Sequence, residues 1–117
     1  MDTQGVIKYL EERADDFYAL SDKIWGNAEI RFKEKESVND YVEFLEKEGF
    51  SVEVGLAGLK TSFKTVWGSG KPVIGFLGEY DALPGLSQKA GVAVKGAIDG
   101  NGNGHGCGHN LLGVGAL

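Results

Sequence analysis

Residues Gly102 to Gly113 read GNGHGCGHNLLG, and this stretch holds both histidines and the only cysteine of the 117-residue chain. A thiolate and an imidazole two residues apart can reach one divalent metal, and the same pair can also serve as nucleophile and base. In extended backbone the side chains alternate, which predicts His105, Cys107 and His109 on one side. The intervening glycines let the backbone approach an ion or substrate closely. A single cysteine has no intrachain disulfide partner, so its uses reduce to packing, metal binding or catalysis. The alternating glycines do not make a dinucleotide fingerprint. Five residues on from Gly100, Gly102 or Gly104, where that pattern needs glycine, stand His105, Cys107 and His109.

One loop seldom supplies a complete ligand set, and GEYDALPG at 78–85 offers carboxylates. Glu79 and Asp81 follow the apolar run PVIGFL, which places them at the expected carboxyl end of a strand, where open α/β sheets gather functional loops. Two residues apart they share a face, one to touch a metal and the other to orient a histidine.

The elements that must position these groups are legible as patterns. Leu10, Ala14, Phe17 and Ile24 recur at helical spacing, with Glu11, Glu12, Arg13, Asp15 and Asp16 opposite, and predict an amphipathic first helix. Val38, Tyr41, Val42 and Leu45 predict a second, ended by Gly49, with GNAEIRF connecting the two. FSVEVGL and TSFKTVW read as strands, and PVIGFL, apolar on both faces, as a buried central one. The turn WGSGK is not a phosphate loop, because position 65 is threonine and position 72 proline. Beyond Leu77 the chain is glycine-rich and aperiodic, as a functional loop would be, until NLLGVGAL opens a helix that has barely begun. The fold class is therefore α/β, with two helices on a mixed sheet, and the uncapped apolar end is expected to be the start of something longer.

Composition narrows the partners. A net charge of -5, with Lys33, Lys35 and Lys47 interleaved among glutamates, leaves no basic face for nucleic acid. The acidic N-terminus lacks the apolar stretch of a signal peptide, and no run is long enough for a membrane span, so a cytoplasmic location is expected.

With both motifs in view, the chain resembles the N-terminal part of the M20 metallopeptidase and amidohydrolase family. It looks most like the subgroup of aminobenzoyl-glutamate hydrolases and N-acyl amino acid amidohydrolases. GEYDALPG with the following LSQ, GHGCGHNLLG at 104–113 and IWGNAEIRFKEKESVNDYVEFLEKEGF carry the likeness. The resemblance implies that Cys107 and His109 bind a pair of divalent metals, zinc or manganese, and that Glu79 stands where the peptidases have a metal ligand. It also implies that Asp81 orients the catalytic site, that His105 lies near it as a substrate or outer-shell residue, and that Asn110 stands where many relatives have Asp. Residues 1–117 would then be an incomplete segment of a metallohydrolase catalytic domain. The general-base glutamate, further ligands and a lid domain that mediates homodimerisation would lie outside it. The implied reaction is hydrolysis of an amide in an N-acyl amino acid, aminobenzoyl-glutamate or dipeptide-like small molecule, by water activated at the metal. The segment alone is expected to be inactive. Two rival readings are a non-catalytic metal-binding or partner-completed module, and a thiol enzyme with Cys107 as nucleophile and a histidine as base.

Overall fold

A computed structural model describes residues 2–98 and 100–117. The chain forms α1 (Thr3–Glu12), α2 (Ala14–Asn27), α3 (Lys35–Lys47), β1 (Ser51–Val54), β2 (Phe63–Val66) and α4 (His109–Gly115). Helices and sheet combine as the α/β reading expects, and α4 begins where NLLGVGAL predicted a helix.

The single first helix of the periodicity is two. Its N-terminus is capped by the Asp2 carboxylate, which accepts from the Gly5 amide at 2.9 Å. Between α1 and α2 the chain bends at Arg13, whose guanidinium grips both oxygens of Glu48 at 2.6 and 3.0 Å, just past α3. The same group donates to Asp16 at 2.6 Å and to the Tyr9 hydroxyl at 3.0 Å. A straight helix reads only its own periodicity; this joint is fixed by a partner 35 residues away. Arg13's hydrogen bonds hold the Glu48 carboxyl below the usual carboxylate range. A depressed acid contributes stability above its unfolded pKa and loses it as pH falls through the folded one. Glu48→Gln is therefore expected to flatten the acid limb of the melting-temperature profile below about pH 4, while lowering the neutral-pH melt only slightly. An acid limb identical to that of the wild type would place the acid loss elsewhere.

α2 is capped by Ala28, which takes the left-handed conformation (φ 43°) and returns its amide to the Ile24 carbonyl. The Glu29 carboxylate then accepts from the amides of Glu36 at 3.0 Å and Ser37 at 2.9 Å, so a residue outside α3 satisfies its unpaired N-terminal donors. Gly49 closes the end of α3 at φ 85°, as its place in the sequence predicted.

The core joins Leu20 and Ile24 of α2, Tyr41 and Leu45 of α3, and Val114 of α4, with Phe17, Phe44, Phe50, Val52, Phe63 and Tyr80 packed around it. β1 and β2 form a two-stranded antiparallel hairpin pairing Ser51 with Val66 and Val54 with Phe63. The third expected strand is not formed: residues 72–77 join no sheet, and Val73 and Leu77 are 84% and 91% exposed. A run that is apolar on both faces needs neighbours on both sides to become a strand, and among the described residues none lies beside it. No helix among them is long and apolar enough to cross a membrane.

Candidate active site

Tyr80 explains how Glu79 and Asp81 come to face the same way. Its ring packs 5.0 Å from Tyr41 and 5.7 Å from Phe63, and its hydroxyl donates to the Thr61 carbonyl. Thr61 in turn donates to the buried Glu34 carboxylate at 2.6 Å. Burial in this cluster raises the Tyr80 pKa. With the central residue of Glu-Tyr-Asp anchored inward, alternation turns both acids outward. The next residue, Ala82, is bridged to Ile30 in parallel, its amide donating to the Glu29 carbonyl at 2.7 Å.

The glycine-rich stretch meets this segment side by side. Leu83 and Gly104 exchange both backbone hydrogen bonds, at 2.9 and 3.0 Å. The pairing brings His109 between the two acids: Nδ1 lies 2.7 Å from Asp81 Oδ1, and Nε2 lies 3.2 Å from Glu79 Oε2. His109 and Asp81 are partly buried and Glu79 is more open. α4 gets this close because Gly113 has no side chain. A Cβ there would stand 2.2 Å from the Tyr41 hydroxyl and 3.0 Å from the Glu79 carbonyl.

The expected one-sided projection of His105, Cys107 and His109 does not occur. A turn closed by the Gly108 amide on the His105 carbonyl at 3.1 Å breaks the alternation. His105 faces α2, with Nε2 donating to the Ile24 carbonyl at 3.0 Å, and burial lowers its pKa. Cys107 sits exposed on the turn, and His109 alone reaches the acids. Asn110 is buried, donating to the Ser21 hydroxyl at 3.1 Å, and so ties α4 to α2. Of the residues expected at the site, the structure thus gathers Glu79, Asp81 and His109, keeps Cys107 on the adjoining turn, and turns His105 and Asn110 toward the core. Tyr80 was missed by sequence reasoning, although an aromatic between two acids after an apolar run is the signal for an inward anchor.

The contact of His109 with its two acids suits a shared cation. A neutral imidazole carries one N–H; given to Asp81, it leaves the Nε2 lone pair facing the Glu79 carboxylate. A proton or a metal ion placed between these two atoms would pair with both. Metal–nitrogen and metal–oxygen bonds of about 2.0–2.2 Å at a roughly tetrahedral or octahedral angle span a distance close to that seen. His109 and Glu79 therefore fit two ligand positions, with Asp81 fixing the tautomer from behind. Among the described residues no three His, Cys, Asp or Glu side chains close on one ion position, so these two donors do not complete a coordination shell. Nor does any histidine nitrogen in this set bond Cys107, as a thiol enzyme would need, since all those that are paired bond Ile24, Asp81 or Glu79.

No protein-family model matches the chain. Among curated proteins it is 47% identical over 98 residues to a component of the p-aminobenzoyl-glutamate hydrolase of Escherichia coli (strain K12), a match covering 84% of this chain and 20% of that protein. It is 31% identical over 116 residues to the Xaa-Arg dipeptidase of Homo sapiens and 30% identical over 113 residues to that of Mus musculus. These matches cover 88% of this chain, and 23% and 22% of the two dipeptidases. The chain thus spans about a fifth of the length of the relatives it matches.

Proposed function

The chain is a homologue of the M20-family amidohydrolases and peptidases, and from this premise we propose that the whole protein is a metal-dependent amidohydrolase. Its substrates in this reading are small amides with a carboxylate-bearing amine half, of the aminobenzoyl-glutamate or dipeptide kind. The observation that carries the reading is His109 held between two carboxylates, with room for a cation on its Nε2 side.

His109 and Glu79 would hold a zinc or manganese ion, with Cys107 as a further ligand from the turn, and a second ion nearby. The ion, when bound, supplies Lewis acidity toward the amide carbonyl and toward water. Asp81 keeps the imidazole proton on Nδ1, so that Nε2 presents its lone pair and the ring cannot flip. Glu79 adds negative charge that favours a cation over a neutral occupant. The acids and His109 are committed to one another, which leaves the general base to come from elsewhere in the whole protein. The 117 residues alone are accordingly expected not to turn over substrate. The exposed apolar side chains of Val73, Ile74, Phe76 and Leu77 support the same view, since they are suited to a larger sheet rather than to solvent.

The test is hydrolysis of p-aminobenzoyl-glutamate and of a panel of dipeptides by the whole protein, before and after dialysis against a chelator. Activity is expected to fall to background on dialysis and to return with zinc or manganese, and the metal is expected to slow alkylation of Cys107. Activity that is indifferent to chelator but lost on stoichiometric alkylation would instead make Cys107 a nucleophile and overturn the metal reading.

A further inference from the structure

The alternation of Asn101-Gly-Asn103-Gly-His105 has a structural use separate from ligation. The last carbonyls of an α-helix lack intrahelical donors; at the end of α2 two asparagines supply those of Asn27 and Ala28, and His105 adds a second donor to the Ile24 carbonyl, which the Ala28 amide already bonds. Asn101 Nδ2 donates to the carbonyls of Asn27 at 3.2 Å and Ala28 at 3.1 Å. Asn103 Nδ2 donates to Ala28 at 3.0 Å, and His105 Nε2 to Ile24 at 3.0 Å. Gly104 and Gly106 face the other way, against residues 83–87. A Cβ on Gly104 would stand 2.0 Å from the Leu86 carbonyl oxygen, and one on Gly106 2.6 Å from the Leu86 side chain. The stretch is thus sandwiched, with donors toward α2 and bare backbone toward the Asp81 segment, and the turn carrying Cys107 begins at its last donor.

We infer that Asn101, Asn103 and His105 are positioning residues, which by capping the end of α2 set where Cys107 and His109 stand relative to Glu79 and Asp81. The inference rests on the metal reading of the site for its consequence, but not for its geometry. His105 acts here as a hydrogen-bond donor from Nε2; its other ring nitrogen is buried with no partner. A glutamine, whose amide nitrogen reaches about as far, should therefore replace it, whereas a leucine should not.

The experiment compares the whole protein with its His105→Leu, His105→Gln and Asn103→Leu variants. Two readouts are taken: Co²⁺ affinity from the thiolate–cobalt absorption, and the rate of Cys107 alkylation by iodoacetamide in metal-free protein. Loss of an outer-shell partner typically weakens metal binding by about ten- to a hundredfold. His105→Leu and Asn103→Leu are expected to lose about tenfold or more in Co²⁺ affinity, with His105→Gln within about threefold of wild type. Both leucine variants are also expected to change the alkylation rate, and His105→Gln to restore it. Leucine variants that match wild type in both readouts would overturn the inference, as would His105→Gln losing as much as His105→Leu. Should His105→Leu fail to fold, Asn103→Leu carries the same two outcomes. Absence of a cobalt band in wild type would sink the metal reading and not this one, which the alkylation rates would then decide by the same pattern.

Discussion

His109→Ala in the whole protein is expected to lower amide hydrolysis about a thousandfold or more, corresponding to the loss of about 4 kcal/mol of transition-state stabilisation of the kind a metal ion supplies. The argument runs through the two contacts of one ring. His109 points Nε2 at Glu79, where the proposed cation would sit, and is held there by Asp81 at Nδ1. Removing the ring removes one ligand of the proposed metal and leaves both carboxylates without the group between them. Asp81→Asn keeps a side chain of the same shape but can offer its amide N–H to Nδ1, which favours the wrong tautomer. Its expected cost is smaller, about ten- to a hundredfold. Glu79 is mostly exposed and pairs with the outer face of the ring, so Glu79→Gln is expected to act on metal affinity and not on the melt. Steady-state rates, bound metal by elemental analysis and melting temperature on the same samples decide the matter. A His109→Ala protein that retains both its metal and its rate would remove His109 from the site, whatever the fate of the other ligands.

The difference in legibility between the helices and the site follows from where their causes lie. Tyr41 and Leu45 at helical spacing, Gly49 at a helix end and the alternation in β1 and β2 are consequences of neighbours within a few residues, and the sequence displays them directly. The bend at Arg13 depends on Glu48, and the separation of His105 from Cys107 depends on a turn whose glycines are spaced no differently from the rest. Neither has a local signature. The run at 72–77 shows the reverse limit: its residue types are those of a buried strand, yet strand formation needs partners that the described residues do not provide.

At the site itself, residue types were more informative than geometry. Two acids and a Cys-Gly-His motif pointed to ligand chemistry, and the fold does bring Glu79, Asp81 and His109 together. That Asn101 and Asn103 serve the end of α2 was not visible, because asparagines in a glycine-rich stretch look like ordinary turn residues. The roles of the intervening glycines also depend on what lies opposite each one.

Gly104→Ala tests that last point with a single methyl group. Its Cβ would stand 2.0 Å from the Leu86 carbonyl oxygen, 2.6 Å from the carbonyl carbon and 3.1 Å from the Ser87 amide. All three are backbone atoms, so no rotamer change relieves the clash, and the two hydrogen bonds between Leu83 and Gly104 must stretch. Overpacking of this kind costs about 1–3 kcal/mol, which corresponds to a fall of roughly 2–12 °C in the melting temperature of a catalytic domain of ordinary size. The strain also reaches the site, since Asp81 lies two residues before Leu83 and His109 five after Gly104. Separating the two segments lengthens the 2.7 Å contact between them. Activity measured well below the melt is therefore expected to drop about tenfold or more, as it does when an outer-shell contact is lost. Gly26→Ala provides the contrast. It lies within α2, its Cβ would meet nothing within 4 Å, and its backbone is not left-handed. Alanine there is expected to hold or raise stability by up to about 1 kcal/mol. If both alanines behave alike, the glycines of the motif serve flexibility; if only Gly104→Ala loses stability and rate together, close backbone approach is what aligns Asp81 with His109.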